Sequence, residues 1–183
     1  LDATGIAGFT ATNVTTNKST DATKATLTAK ADAVVTIDVS GAKSDSNGWT
    51  LVGGSGTGDD VLKGGAAADI ITGGAAADTI TGNGGADTIT GGTGDDIITG
   101  GTGNDIITVD AGKDTVLDLG GSGGSESDVV IVNSGATLDA TGIAGFTATN
   151  VTTNKSTDAT KATLTAKADA VVTIDVSGAK SDS

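Results

Sequence analysis

GGTGDDIITGGTGNDIITVD, residues 91 to 110, contains one nine-residue phrase stated twice. Extended in both directions, the phrase runs for seven consecutive units over residues 55 to 117 with no insertion: SGTGDDVLK, GGAAADIIT, GGAAADTIT, GNGGADTIT, GGTGDDIIT, GGTGNDIIT and VDAGKDTVL. Two columns never vary in type. Position six is aspartate in every unit (Asp60, Asp69, Asp78, Asp87, Asp96, Asp105 and Asp114), and position eight is aliphatic in every unit (Leu62, Ile71, Ile80, Ile89, Ile98, Ile107 and Val116). A fixed nine-residue period of this kind is the signature of stacked repeats and argues against a solvated glycine linker.

Glycine lets the first half of each unit turn where φ is positive, and the β-branched second half favours an extended strand. A turn of about six residues followed by a strand of about three makes two units one coil, so successive units point to opposite sides. Position eight then faces inward and stacks on its own kind two units away. The aspartates stack as well: Asp60, Asp78, Asp96 and Asp114 on one side, Asp69, Asp87 and Asp105 on the other. Strands in a sheet lie ~4.8 Å apart, and carboxylates at about that spacing repel by about 3 kcal/mol per pair at an effective dielectric near 20. A core one aliphatic side chain wide cannot absorb this, so the reading requires cations between the coils.

The composition states which cation. The chain has no histidine and no cysteine, so nitrogen and sulfur ligands are absent and any metal must be held by oxygen. Two carboxylates and several loop carbonyls per gap make a flexible site of six or more hard oxygens, which suits calcium better than magnesium. Five same-side gaps (60/78, 78/96, 96/114, 69/87 and 87/105) predict about five Ca2+ ions. Their charge of +10 nearly cancels residues 47 to 137, where twelve Asp and one Glu against two Lys give −11. The net charge of −13 argues against nucleic acid and anionic membranes as partners, and no stretch approaches the ~20 apolar residues of a membrane-spanning helix. Without histidine no usual catalytic relay can be built around GGSGG at 120 to 124, so we expect a flexible exit loop there and no enzyme activity in this segment.

The units GGTGDDIIT and GGTGNDIIT closely resemble the G-G-x-G-x-D-x-(aliphatic)-x pattern of the RTX calcium-binding nonapeptide family, and DTVLDL at 114 to 119 resembles the strand that closes such runs. The resemblance covers residues 55 to about 119. It implies an all-β fold, a right-handed parallel β-roll exported by a type I system. It also implies that calcium is held by the side chains of the seven aspartates and by carbonyls at loop positions such as Gly56, Gly58, Gly65, Gly74, Gly85, Gly92, Gly94, Gly101 and Gly103. Position four departs from the pattern at Ala67 and Ala76. If that position requires positive φ, each methyl costs about 1 kcal/mol or more. Asn83 at position two is better tolerated, and the last unit opens with VDA.

Outside the repeats the chain divides into a Thr/Ala/Val-rich β segment at 1–52, the β-roll at 53–119, and a closing strand with a second β segment at 120–183. Residues 138–183 repeat residues 1–46 without a substitution, which fits a window on a near-identical tandem array or a joining of copies. Residues 25 to 40 alternate strictly. Ala25, Leu27, Ala29, Ala31, Ala33, Val35, Ile37 and Val39 lie on one face, with Val34 the one exception on the other, so one or two half-buried strands are expected, in a β-solenoid or β-sandwich. Trp49 is expected to cap the first coil. Asp59, Asp95 and Asn104 at position five read as exposed loop polars rather than extra ligands, and NVT (13–15) and NKS (17–19) as turn residues rather than glycosylation sites. A threonine ladder for ice binding is broken, because the same-side neighbours of Thr79 are Val61 and Ile97 and those of Thr88 are Ile70 and Ile106.

The flanking composition resembles RTX-bearing bacterial surface-layer proteins. Together these features predict a secreted, cell-surface structural module that assembles with other copies of itself in a calcium-dependent lattice. The rival is the calcium-binding tail of a type I-secreted hydrolase, protease, toxin or adhesin.

Overall fold

The structure is a computed structural model. It describes the backbone of residues 2–6, 9–10, 24–42, 47–118, 128–133, 136–140, 163–166 and 171–174, with side chains in 24–42, 47–118, 128–133 and 136–140. The glycine-rich exit segment at 120–124 and the sequons at 13–19 lie outside these residues. Every regular element described is a strand. From the N-terminal side these are β1 (Asp2–Ile6), β2 (Phe9–Thr10), β3 (Ala25–Ala29), β4 (Thr36–Asp38), β5 (Trp49–Val52) and β6 (Val61–Lys63). The repeats continue with β7 (Ile70–Ala75), β8 (Thr79–Gly84), β9 (Thr88–Thr93), β10 (Ile97–Thr102), β11 (Ile106–Val109) and β12 (Gly112–Asp118). Beyond them come β13 (Val129–Val132), β14 (Ala136–Ala140), β15 (Thr163–Ala166) and β16 (Val171–Ile174).

Odd-numbered strands form one parallel sheet in the order β1-β3-β5-β7-β9-β11-β13-β15, and even-numbered strands form the other, β16-β14-β12-β10-β8-β6-β4-β2. The chain alternates between the sheets, so each pair of strands closes one coil. Within the repeats one coil is 18 residues, as in Thr79↔Ile97 and Ile70↔Thr88. This is the two-unit coil expected from the nonapeptide, and the fold is an all-β parallel β-roll.

Position eight fills the interior. Leu62, Ile71, Ile80, Ile89, Ile98, Ile107 and Val116 are each fully buried, and same-side members are cross-strand partners. Position seven points outward, where Ile70, Ile97 and Ile106 stay about 40 % exposed. Thr79 pairs with Val61 and Ile97, and Thr88 with Ile70 and Ile106, so the outer threonine column is interrupted as expected.

Three features differ from the sequence expectation. Strands β7 to β10 are six residues long and run from position seven through position three of the next unit. The turn is therefore only about three residues, because positions two and three join the ladder, as Gly74↔Gly92 and Gly101↔Asn83, then Ala75↔Thr93 and Thr102↔Gly84, show. Of the solenoid and sandwich expected for the flanks the structure has the solenoid, which is no departure: Leu27↔Leu51 and Ile37↔Leu62 carry the same sheets and the same core columns past the repeats. Residues 25–40 form two strands joined by a turn in which Asp32 has φ of 58°, which leaves Ala31 exposed and Ala33 half-buried instead of inward.

Trp49 is a third case. It does not cap an end; it lies 3 % exposed within the first sheet, paired with Ala25 of the coil before. The repeated flank also depends on context. β15 and β16 join the same sheets as β3 and β4, whereas residues 139–140 sit in the second sheet and their counterparts 2–3 in the first.

Candidate metal centre

Each position-six aspartate ends the turn just before its strand, and the chain folds it inward beside the aliphatic stack. All seven are at most 1 % exposed. Such burial is sustainable only where the carboxylate finds donors or a counter-charge. The backbone supplies part of this through a ladder in which each aspartate N–H donates to Oδ1 of the aspartate one coil on. On one side Val35 N donates to Asp60 at 2.8 Å, Asp60 N to Asp78 at 2.7 Å, Asp78 N to Asp96 at 2.8 Å and Asp96 N to Asp114 at 3.0 Å. On the other, Trp49 N donates to Asp69 at 2.6 Å, Asp69 N to Asp87 at 2.7 Å and Asp87 N to Asp105 at 2.8 Å.

The ladder reaches one residue that the nine-residue period does not contain. Asp105 N donates to Oδ1 of Asp128 at 2.8 Å, and Asp128 is 1 % exposed. Its coil is 23 residues long, so counting by nine passes over it. The local signal was present nonetheless: Asp128 precedes Val130, a buried aliphatic, by two places, as position six precedes position eight.

The second carboxylate oxygen separates the aspartates into two classes. Oδ2 of Asp60 accepts Gly54 N at 2.6 Å, and Oδ2 of Asp69 accepts Gly65 N at 2.6 Å. Oδ2 of Asp78, Asp87, Asp96 and Asp114 is buried with no hydrogen-bond donor. Turn conformation follows the same division. In the third to sixth units positions two and four take positive φ, at Gly74, Ala76, Asn83, Gly85, Gly92, Gly94, Gly101 and Gly103, and in the seventh position four does, at Gly112, whereas no residue of the first two units does. Where the turn adopts this left-handed form, the orphaned oxygen is found.

Position-one glycine makes room for that oxygen. A Cβ at Gly73 would stand 2.6 Å from Asp78 Oδ2, and one at Gly91 2.5 Å from Asp96 Oδ2; Gly64, Gly82 and Gly100 crowd Asp69, Asp87 and Asp105 more closely still. The sequence reading assigned positions two and four to metal binding and missed this role of position one, although Gly occupies it in five of the seven units.

Burial, then the neighbouring aspartates, pushes the carboxyls of Asp78 and Asp114 up to about 7 and that of Asp87 to about 8, against the pull of the ladder hydrogen bonds. Asp96 is raised for the same first reason, with Asp95 and Asp110 adding charge.

The loop carbonyls stand where the coils meet. The oxygens of Gly74, Gly85 and Gly94 lie against Gly92, Gly103 and Gly112 of the coil beyond. Gly65 O already accepts Gly84 N at 3.1 Å, and a carbonyl keeps a second lone pair for another partner. Gly56 and Gly58 pack on the 32–34 turn of the preceding coil. At position five, Asp59 Oδ1 accepts Ala77 N at 3.1 Å and Asp95 Oδ1 accepts Lys113 N at 2.8 Å, which ties exposed turns together.

Among the described residues no three acidic side chains converge. A cation between coils therefore draws on at most two carboxylates and takes its remaining oxygens from the backbone. Orphaned buried oxygens, glycine cradles without Cβ and an all-oxygen donor set fit a hard divalent ion. The chemistry such an ion supplies is charge neutralisation between the coils; the chain's residues position the oxygens and exclude water.

An acidic two-sheet β-roll with these donors is a solenoid whose buried oxygens suit a hard cation. Residues 54–89 and 81–116 each match the family model described as RTX calcium-binding nonapeptide repeat (four copies). Such repeats bind calcium, are structural rather than catalytic, and are typical of bacterial proteins secreted by type I systems. Neither a curated protein nor a solved structure matches the chain.

Proposed function

We propose that this chain is a calcium-dependent extracellular structural module of a bacterial surface-layer lattice. The observation that carries the calcium reading is the row of buried Oδ2 atoms without donors at Asp78, Asp87, Asp96 and Asp114. Ions in the same-side gaps neutralise them, with ligands from the position-six aspartates and the loop carbonyls. Asp128 adds a sixth gap, 105/128, to the five counted from the repeats. In a calcium-poor cytoplasm the unneutralised carboxylates and glycine entropy keep the roll unwound and exportable; outside the cell, binding energy becomes folding energy.

The lattice part is supported by the flanks. They extend both sheets beyond the roll instead of forming a separate unit, and the 46-residue segment that does so occurs twice. A long, regular, aromatic-poor solenoid suits a structural element that associates with copies of itself. Far-UV circular dichroism during a calcium titration tests the folding claim: a β spectrum that develops with calcium supports it, and one unchanged by excess chelator refutes it. Electron microscopy tests the lattice. Ordered two-dimensional sheets on calcium addition support it, whereas dispersed monomers favour the tail of a secreted hydrolase, protease, toxin or adhesin.

A further inference from the structure

The first coil of the roll differs from those that follow in having a cation of its own. Lys24 precedes β3, one coil before the repeats begin, yet its Nζ donates to Asn47 O at 3.3 Å and also to Ala68 O. Asn47 and Ala68 belong to consecutive turns, those preceding Trp49 and Asp69, which are themselves joined by Trp49 N to Asp69 Oδ1. The ammonium thus bridges backbone carbonyls of two neighbouring coils, in the gap where the carboxylate column of this side begins.

Two further observations mark this end as closed. Asp60 and Asp69 have both oxygens occupied by backbone N–H groups, and their turns lack the left-handed residues present from the third unit onward. Before Asp60 and Asp69 the columns continue as Val35 and as Trp49 and Ala25, so the buried carboxylates stop here. A metal ion has no orphaned oxygen to satisfy at this end.

Building on the calcium reading above, we propose that Lys24 is a tethered cation that takes, at the first coil, the place divalent ions take between later coils, so that the turns before Trp49 and Asp69 close without metal and template those that follow. A compact ammonium on a flexible stem can do this because its three donors reach carbonyls in more than one turn. The order of winding follows: the N-terminal end forms first, and each ion then fixes the next coil against one already in place.

Amide hydrogen exchange on the full chain, in excess chelator and at saturating calcium, tests the idea. Wild type in chelator should protect residues 49–52, 60–62 and 69–71 above residues 87–107, with calcium extending protection to the latter. Lys24→Met should lose the chelator-resistant protection, and the calcium midpoint read by the emission of Trp49, the only tryptophan, should rise about three- to tenfold. Lys24→Arg, which keeps the charge, should retain most of both.

Uniform exchange across the roll in chelator, or a Lys24→Met chain with the wild-type midpoint, would overturn the proposal. So would equal losses in the Met and Arg variants. If calcium leaves residues 87–107 unprotected in wild type, the calcium reading itself fails, and that outcome is separate from any effect at Lys24.

Discussion

Ala76 holds a left-handed backbone, φ 80°, at the position where the neighbouring units place Gly85, Gly94 and Gly103. A methyl group resists that conformation by roughly 1–2 kcal/mol, part of which is returned by the smaller entropy of the unfolded chain. Ala76→Gly should therefore stabilise the calcium-loaded roll by about 0.5–1 kcal/mol, or about 2–4 °C in Tm by calorimetry. Ala67→Gly should do the opposite by a similar amount, because Ala67 has no positive φ and gains only chain entropy to lose. The sequence placed both alanines in one class, since the repeat pattern records residue type and not the turn's conformation. Position-one glycine was hidden for a related reason: its function is the space left by a missing Cβ. Gly91→Ala would set a methyl 2.5 Å from Asp96 Oδ2 and 3.3 Å from Ile98 Cδ1, and should cost about 1–3 kcal/mol in a chemical denaturation series.

At the scale of strands and turns, the period of nine located the coils because each strand from β7 to β10 repeats the same solution. What it could not locate was the pairing of glycines, which have no side chain to mark a face, so strands that extend through position three read as turn. Coils of other lengths were also invisible. Asp128 lies 23 residues beyond Asp105, and Trp49 20 before Asp69, and only the ladder hydrogen bonds show that they share a column. Asp128→Asn should lower the number of calcium ions bound in a calorimetric titration by about one while leaving β7 to β10 protected from exchange.

The buried carboxylates also set a pH response. Burial raises their folded-state pKa values above the ordinary carboxylate value of 3.8, to about 7 for Asp78 and Asp114 and about 8 for Asp87. A raised acid favours the fold when protonated, so the metal-free chain loses stability as pH climbs from about 4 through 8. Circular dichroism in chelator should show more β structure at pH 5 than at pH 8. Calcium must then displace protons, and titrations near pH 7 in buffers of different ionisation enthalpy should report their release.

Over the whole molecule, the charge distribution carries the account. Residues 47 to 137 hold a net −11, and the roll sets its position-six aspartates in two buried columns rather than on the surface. The fold class and the need for a hard cation were both legible, because two invariant columns and the absence of histidine and cysteine leave few alternatives. The continuity of the flanks was not, since sixteen alternating residues suit a solenoid and a sandwich equally well. Lys24 escaped notice because its partners, Asn47 and Ala68, are brought to it only by the winding of the coils.

The central claim is that the orphaned oxygens of the aspartate columns hold metal. An anomalous difference map from crystals grown with calcium tests it most directly. The account predicts peaks between same-side turns from Asp78 and Asp87 onward, including the 105/128 gap, and none between Trp49 and Asp69, where Lys24 lies. Well-ordered coils with no anomalous density between Asp78 and Asp96 or between Asp87 and Asp105 would contradict it.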